Sequence, residues 1–196
     1  MKVERSHVML NFRQRHIPVF GVASLALLMV SVRASANPQM QIEQKKVDLA
    51  KEVRQKLATL PDYSVFDNLS AKVEGSKVVL TGQVVHPRLS SDAEAAVKKV
   101  KGVNGVQNSI EHLSALPSDD QLRRAVYRAI YGDPVLSRYR FSAKPLIHII
   151  VQGGNVSLEG AVYDESDATV AGLRAKAVPQ VSSVRNNLGI VSLTAP

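Results

Sequence analysis

One heptapeptide pattern occurs twice in this chain, and it constrains the fold more than any other feature. Residues 78–84 read Val78-Val79-Leu80-Thr81-Gly82-Gln83-Val84, and residues 156–162 read Val156-Ser157-Leu158-Glu159-Gly160-Ala161-Val162. Both are V-x-L-x-G-x-V. Apolar residues at alternate positions are the signature of a strand with one face buried and one face wet. The glycine falls in phase with the buried side chains. A glycine there weakens a strand unless a bulge or a close backbone approach needs the space. Meeting it twice in the same frame implies two copies of one module.

The first copy spans residues 46–113. Asn37 to Lys46 is polar and reads as a loose lead-in. Leu49, Val53 and Leu57 then follow at i, i+4 and i+8, which puts them on one face of a helix; Pro61 ends it. Leu69 to Val73 alternates as a strand, Glu74 to Lys77 supplies a turn, and residues 78–84 return as the hairpin partner. Ser91 and Glu94 form a capping box opening a second helix, with Ala93, Ala96, Val97 and Val100 inward and Gly102 at its end. A last strand covers about 104–112. The order is α-β-β-α-β, and its strand-helix-strand crossover calls for a parallel final strand.

A linker, residues 114–117, leads to the second copy, residues 118–193. Ser118, Asp119 and Asp120 suit a helix start, and Leu122, Val126 and Ile130 repeat the apolar face. Strands follow at 147–151 and 156–162, then a helix from Ser166 to Ala177 and a last strand region marked by Val181, Val184 and Leu188. From residue 69 onward the copies align at an offset of 156 − 78 = 78, whereas the first helices align at 122 − 49 = 73. Five extra residues therefore lie within Tyr131 to Pro145. The predicted fold class is α+β: two tandem αββαβ modules, each a small three-stranded mixed sheet with two helices on one face.

Residues 1–36 read as a cleavable signal peptide. A basic start (Lys2, Arg5, Arg13, Arg15) precedes an uncharged run over 17–32, and Ala34-Ser35-Ala36 is a small-x-small exit. The run is 16 residues, short of the ~20 that cross a bilayer comfortably. Cleavage is expected after Ala36, with export to the periplasm; Met9 is an alternative start that retains Arg13 and Arg15. Of 25 Lys and Arg, five lie in the leader, and of 17 acids, one does. The remainder carries 20 against 16, a net +4. That is too mild for a dedicated nucleic-acid binder, and aromatics at 5% with no tryptophan supply a poor base-stacking platform. The absence of cysteine removes disulfides, thiolate chemistry and a lipid-modified start.

No catalytic constellation is present: no phosphate loop, nucleophile elbow or H-E-x-x-H. His86, His112 and His148 sit at unrelated positions without ligand spacing, so no metal and no cofactor is expected. The richest surface candidate is basic and aromatic. Arg123, Arg124, Arg128, Arg138, Arg140 and Lys144 fall within 22 residues, interleaved with Tyr127, Tyr131, Tyr139 and Phe141. Two readings stay open. The run is either a lipid-facing surface, since cations favour an anionic leaflet and Tyr its interface, or a solvated helix face whose aromatics pack inward. Gly82 and Gly160 read as structural, and Asn108 and Asn186 as bonding local backbone.

The motif V-x-L-x-G-x-V, then a helix, then V-x-G-V-x-x-V-x-N resembles the BON domain (bacterial osmotically inducible and nodulation). The first copy shows Val100-Lys101-Gly102-Val103 and Val106-Gln107-Asn108; the second shows Val178-Pro179-Gln180-Val181 and Val184-Arg185-Asn186, with Gln180 in place of the usual glycine. The doubled arrangement behind a leader is similar to osmotically inducible periplasmic proteins of Gram-negative bacteria. The resemblance implies an αββαβ fold, an envelope location and binding of phospholipid surfaces, without catalytic residues. Two functions are therefore carried forward. One is a non-enzymatic envelope protein that binds anionic phospholipid and supports envelope integrity or a stress response such as that to osmotic stress. The other is a protein-interaction or chaperone-like module that recognises partners through exposed strand edges.

Overall fold

The computed structural model describes residues 38–141 and 145–191, all within one compact unit, residues 36–196. The predicted leader and its cleavage site lie outside the described residues. The elements run α1 (Pro38–Ala58), β1 (Asn68–Glu74), β2 (Lys77–Val84), α2 (Pro87–Lys98), β3 (Gly105–His112), α3 (Pro117–Tyr131), a 3-10 helix (Leu136–Phe141), β4 (Ile147–Gln152), β5 (Asn155–Val162), α4 (Glu165–Lys176), β6 (Ser183–Asn186) and the short β7 (Gly189–Ile190). Each repeat heptapeptide is the central strand of its sheet. β2 lies between antiparallel β1 and parallel β3, and β5 between antiparallel β4 and parallel β6, which β7 continues. The fold is α+β with two tandem αββαβ modules, as the repeat required.

Equivalent residues build the two cores. Val53, Leu57, Val78, Leu80, Ala93, Val97 and Val100 fill the first; Val126, Ile130, Val156, Leu158, Ala171, Ala175 and Val178 take the same places in the second. The insertion enlarges the second core, because Leu136 and Tyr139 of the 3-10 helix are buried in it.

The strand glycines answer the question the sequence raised. Gly82 has φ +120° and Gly160 has φ +107°, conformations that side-chain-bearing residues rarely adopt. A Cβ on Gly82 would lie 1.9 Å from the Asn68 carbonyl oxygen, and one on Gly160 would lie 2.2 Å from that of Leu146. The hairpin partner's backbone occupies the space. The two asparagines act alike as well. Asn108 donates to the Ser90 carbonyl at 3.1 Å and accepts from the Ile110 amide. Asn186 donates to the Ala168 carbonyl at 2.7 Å and accepts from the Leu188 amide. Each therefore ties the last strand of its module to the second helix, 18 residues away, in addition to the local backbone bond.

Several helix starts differ from the sequence expectation. α1 begins at Pro38, so most of the segment read as loose is helical. α2 begins at Pro87, with Pro at the first turn and no side-chain cap on His86; Ser91 is already inside the helix, and Glu94 instead bonds Lys98 and Asn108. α3 is preceded by Leu116, also without a side-chain cap. Asp119 is buried and accepts from the Gly153 and Gly154 amides at 2.9 and 3.2 Å, clamping the β4–β5 turn.

Gln180 stands where the first module has Gly102, and it keeps the left-handed backbone, φ +71° against +98°. A non-glycine residue there is strained by roughly 1–2 kcal/mol. Gln180→Gly is therefore expected to raise stability by about 1 kcal/mol, read as a higher urea midpoint at unchanged slope.

The two modules are docked, and burial records where. Along β1 the outward-facing Ser70 and Lys72 are exposed, whereas the equivalent His148 and Ile150 of β4 are buried. The segment before β1 lies over His148, whose ring faces Tyr63 at 5.5 Å, and Gln83 of β2 borders a hollow beside Ile150. Asp67, fully buried, accepts from the Ser64 amide (3.0 Å), the Ser64 hydroxyl (2.6 Å) and the Val85 amide (2.8 Å). This folds residues 64–67 into a tight turn fixed to the end of β2. Val65 and Phe66 at its tip pack on the second core. The Val65 carbonyl accepts from the Ile149 amide at 2.8 Å, a strand-like bond to the outer edge of β4.

Candidate functional site

The basic-aromatic stretch does not form one surface. Arg123 is buried, and its Nη2 donates to the Ser114 and Val151 carbonyls, both at 2.9 Å. It joins the linker to β4. Burial lowers its pKa, opposed by Asp119, Asp120 and Asp67. Arg138 is held by Asp164 at 3.0 Å and by Asp167, and its guanidinium lies over the Tyr139 and Tyr163 rings at 5.4 and 5.5 Å. The bond to Asp167 holds the Arg138 pKa high. Tyr139 donates to Asp167 and accepts from the Tyr163 amide at 2.8 Å. These contacts staple the 3-10 helix to the start of α4.

Tyr127 packs edge-on against Phe66 at 6.1 Å and tilted against Tyr131 at 4.8 Å. Tyr131 donates to the Ile147 carbonyl at 2.7 Å, and burial pushes its pKa up to about 12. Arg124 is exposed and paired with Asp120 one turn earlier. Arg128 and Arg140 are exposed and have no ion pair among the described residues. Lys144 lies outside the described residues.

Arg128 borders a groove of about 540 Å³ between α3 and α4, with Ala125, Ala129 and Gly132 along it and Arg174 opposite. Arg174 is tied to Asp133 at 2.6 Å. Arg140 borders a hollow of about 130 Å³ shared with Tyr127, Tyr131 and Tyr139.

A second basic and apolar surface lies at the start of α1, in a segment whose polarity reads in the sequence as a loose lead-in. The start of α1 exposes Met40 (70%), Ile42 (54%) and Val47 (50%). Ile42 and Leu49 line a groove of about 550 Å³ with Lys45, Lys46 and Lys101 at its edges, beside Asp48 and Glu52. Lys46 pairs with Glu43 at 3.4 Å; Lys45 and Lys101 have no ion pair among the described residues. The detectable signal was a helix-starting Pro38 followed by Ile42, Lys45, Lys46 and Leu49, spaced three and four residues apart. Among the described residues no group of His, Asp and Glu is arranged to hold a metal ion, and no helix is long and apolar enough to cross a membrane.

Comparison with known proteins returns one family twice: the profile described as BON domain matches residues 45–113 and again 118–192. No curated protein matches the chain at a significant level. Among solved structures, two match the structural protein CdsD of the type III secretion system of Chlamydia trachomatis. One is 12% identical, covering 74% of this chain and 92% of that chain with a TM-score of 0.29. The other, its C-terminal domain, is 11% identical, covering 74% and 98% with a TM-score of 0.27.

Proposed function

Because the chain belongs to the BON-domain family, we propose that it is a non-enzymatic protein of the cell envelope that adsorbs to anionic phospholipid surfaces. Its leader-like first 36 residues support export to the periplasm, where such adsorption would serve envelope integrity under osmotic stress. The observation that carries the lipid reading is the groove at the start of α1: exposed Ile42 with Leu49 beside Lys45 and Lys101, cations without an ion pair among the described residues. Apolar side chains next to unpaired cations suit a surface that is anionic outside and hydrocarbon beneath. In the second module Arg128 and Arg140 offer the remaining unpaired charge of the 123–144 stretch. Arg124 adds a partly compensated one, whereas Arg123, Arg138 and Tyr127 serve the architecture. Lys144 stays within the proposed contact set.

Each basic side chain near an anionic leaflet contributes about 1 kcal/mol. Replacing Lys45 and Lys101 with Ala in a chain starting at Asn37 is expected to weaken association with phosphatidylglycerol vesicles about 30-fold in flotation. Arg128→Ala with Arg140→Ala should cost about as much, and neutral vesicles should bind neither protein. If both double variants float like the parent chain, the patches are not lipid contacts. Strand addition, the competing reading, has less to act on, since Val65 already occupies the outer edge of β4.

A further inference from the structure

We propose that residues 63–67 form an acid-released latch: protonation of His148 undocks the first module from β4 and uncovers that strand's outer edge. The observations are geometric and independent of the lipid reading. His148 is 7% exposed and sits in the seam between the modules. Its ring faces Tyr63 at 5.5 Å, and it is the neighbour of Ile149, whose amide makes the strand-like bond to Val65. Its Nδ1 is buried without a hydrogen-bond partner. The Asp67, Ser64 and Pro145 carbonyls lie near the ring and favour the charged form, but none completes a bond to Nδ1.

Neutral imidazole tolerates such a site, since one ring nitrogen carries no proton. Imidazolium does not: it places a charged donor in a seam that water does not reach. The charged groups around it do not offset that cost. Asp67 faces it from the turn, but both carboxylate oxygens already accept from Ser64 and Val85, and Arg123 shares its field. Glu159 is the cross-strand neighbour on β5. Its Oε1 is engaged by Ser157 at 2.6 Å and Asn187 at 2.7 Å. Tyr63 is itself kept neutral by burial.

Burial thus lowers the His148 pKa in the docked state. Docking is at full strength above the ordinary histidine value of about 6.5 and weakens as pH falls through it towards the depressed value. Each unit of depression weakens the latch about tenfold on the acid side. Release breaks the Val65–Ile149 bond and leaves β4 with an open edge, the form that pairs with an extended strand.

The chain contains no cysteine, so Ser91→Cys with Lys176→Cys places one spin label on each module of the full-length protein. The expected result is a narrow distance distribution at pH 7.5 that broadens at pH 5.0, with a tenfold or greater loss of Ile149 amide protection. His148→Gln should stay narrow at both values. An unchanged distribution in the parent protein at pH 5.0 would overturn the latch, as would a His148→Gln protein that opens at the same pH. The imidazole titration of the parent, followed by NMR, decides even if His148→Gln fails to fold. A His148 pKa below 6.5 in the docked form supports the latch, and one at or above it contradicts it.

Discussion

Gly160→Ala is expected to lower the thermal midpoint by about 10 °C, and Gly82→Ala by about as much. The reason is in the backbone. A left-handed conformation costs a side-chain-bearing residue about 1–3 kcal/mol. At these two positions the new Cβ would also lie 2.2 and 1.9 Å from a carbonyl oxygen of the partner strand. Relief requires the hairpin strands to separate, which breaks ladder bonds on the central strand of the sheet. The combined loss is about 3 kcal/mol or more, a large part of the 5–15 kcal/mol that holds a typical domain together. Gly153 is the matched control. It too is left-handed, φ +58°, but a Cβ there meets nothing within 4 Å, so Gly153→Ala should cost only about 1 kcal/mol. Equal losses at Gly153 and Gly160 in urea melts would show that the close approach contributes nothing.

Asp67→Ala should cost about 3 kcal/mol and loosen the seam between the modules. The carboxylate is fully buried and accepts three hydrogen bonds. Removing it strands the Ser64 and Val85 amides, and bonds to a charged acceptor are among the stronger ones. The local damage has a distant reading. Val65 and Phe66 are presented to the second module by the turn that Asp67 closes, so the Ile149 amide should lose protection although it lies in the other module. A destabilised protein with full Ile149 protection would mean that the tip docks without its anchor.

Much of the fold was legible because periodicity survives burial. The period-two strands, the i, i+4, i+8 helix faces and the repeat offset depend only on which side chains turn inward, and those recur in both cores. Helix starts were less legible. Proline at the first turn replaces side-chain capping at α2 and α3, so Ser91 and Ser118 advertised boundaries that the backbone does not use. The candidate surface was the least legible part, because charge in a sequence carries no burial. Arg123 occupies the helix position that Ala50 holds in the first module, yet it points into the seam. The seam itself left a trace. The outward residues of β1 are Ser70 and Lys72, and those of β4 are His148 and Ile150, so Ile147 to Val151 reads as a strand covered on both faces. That difference between two otherwise matching strands was the sequence signal of docking.

The lipid reading and the docked arrangement make different demands on salt. The seam relies on packing and buried hydrogen bonds, which salt screens little, whereas exposed Lys45, Lys101, Arg128 and Arg140 act through a field that salt shortens. The most direct test of the account is therefore the partition of residues 37–196 onto phosphatidylglycerol and phosphatidylcholine vesicles as salt rises from 0.1 to 1 M. The screening length falls from about 10 to about 3 Å across that range. The account predicts strong association with the anionic vesicles that falls steeply with salt, and none with the neutral ones. Association that ignores salt, or that does not distinguish the two lipids, would contradict it.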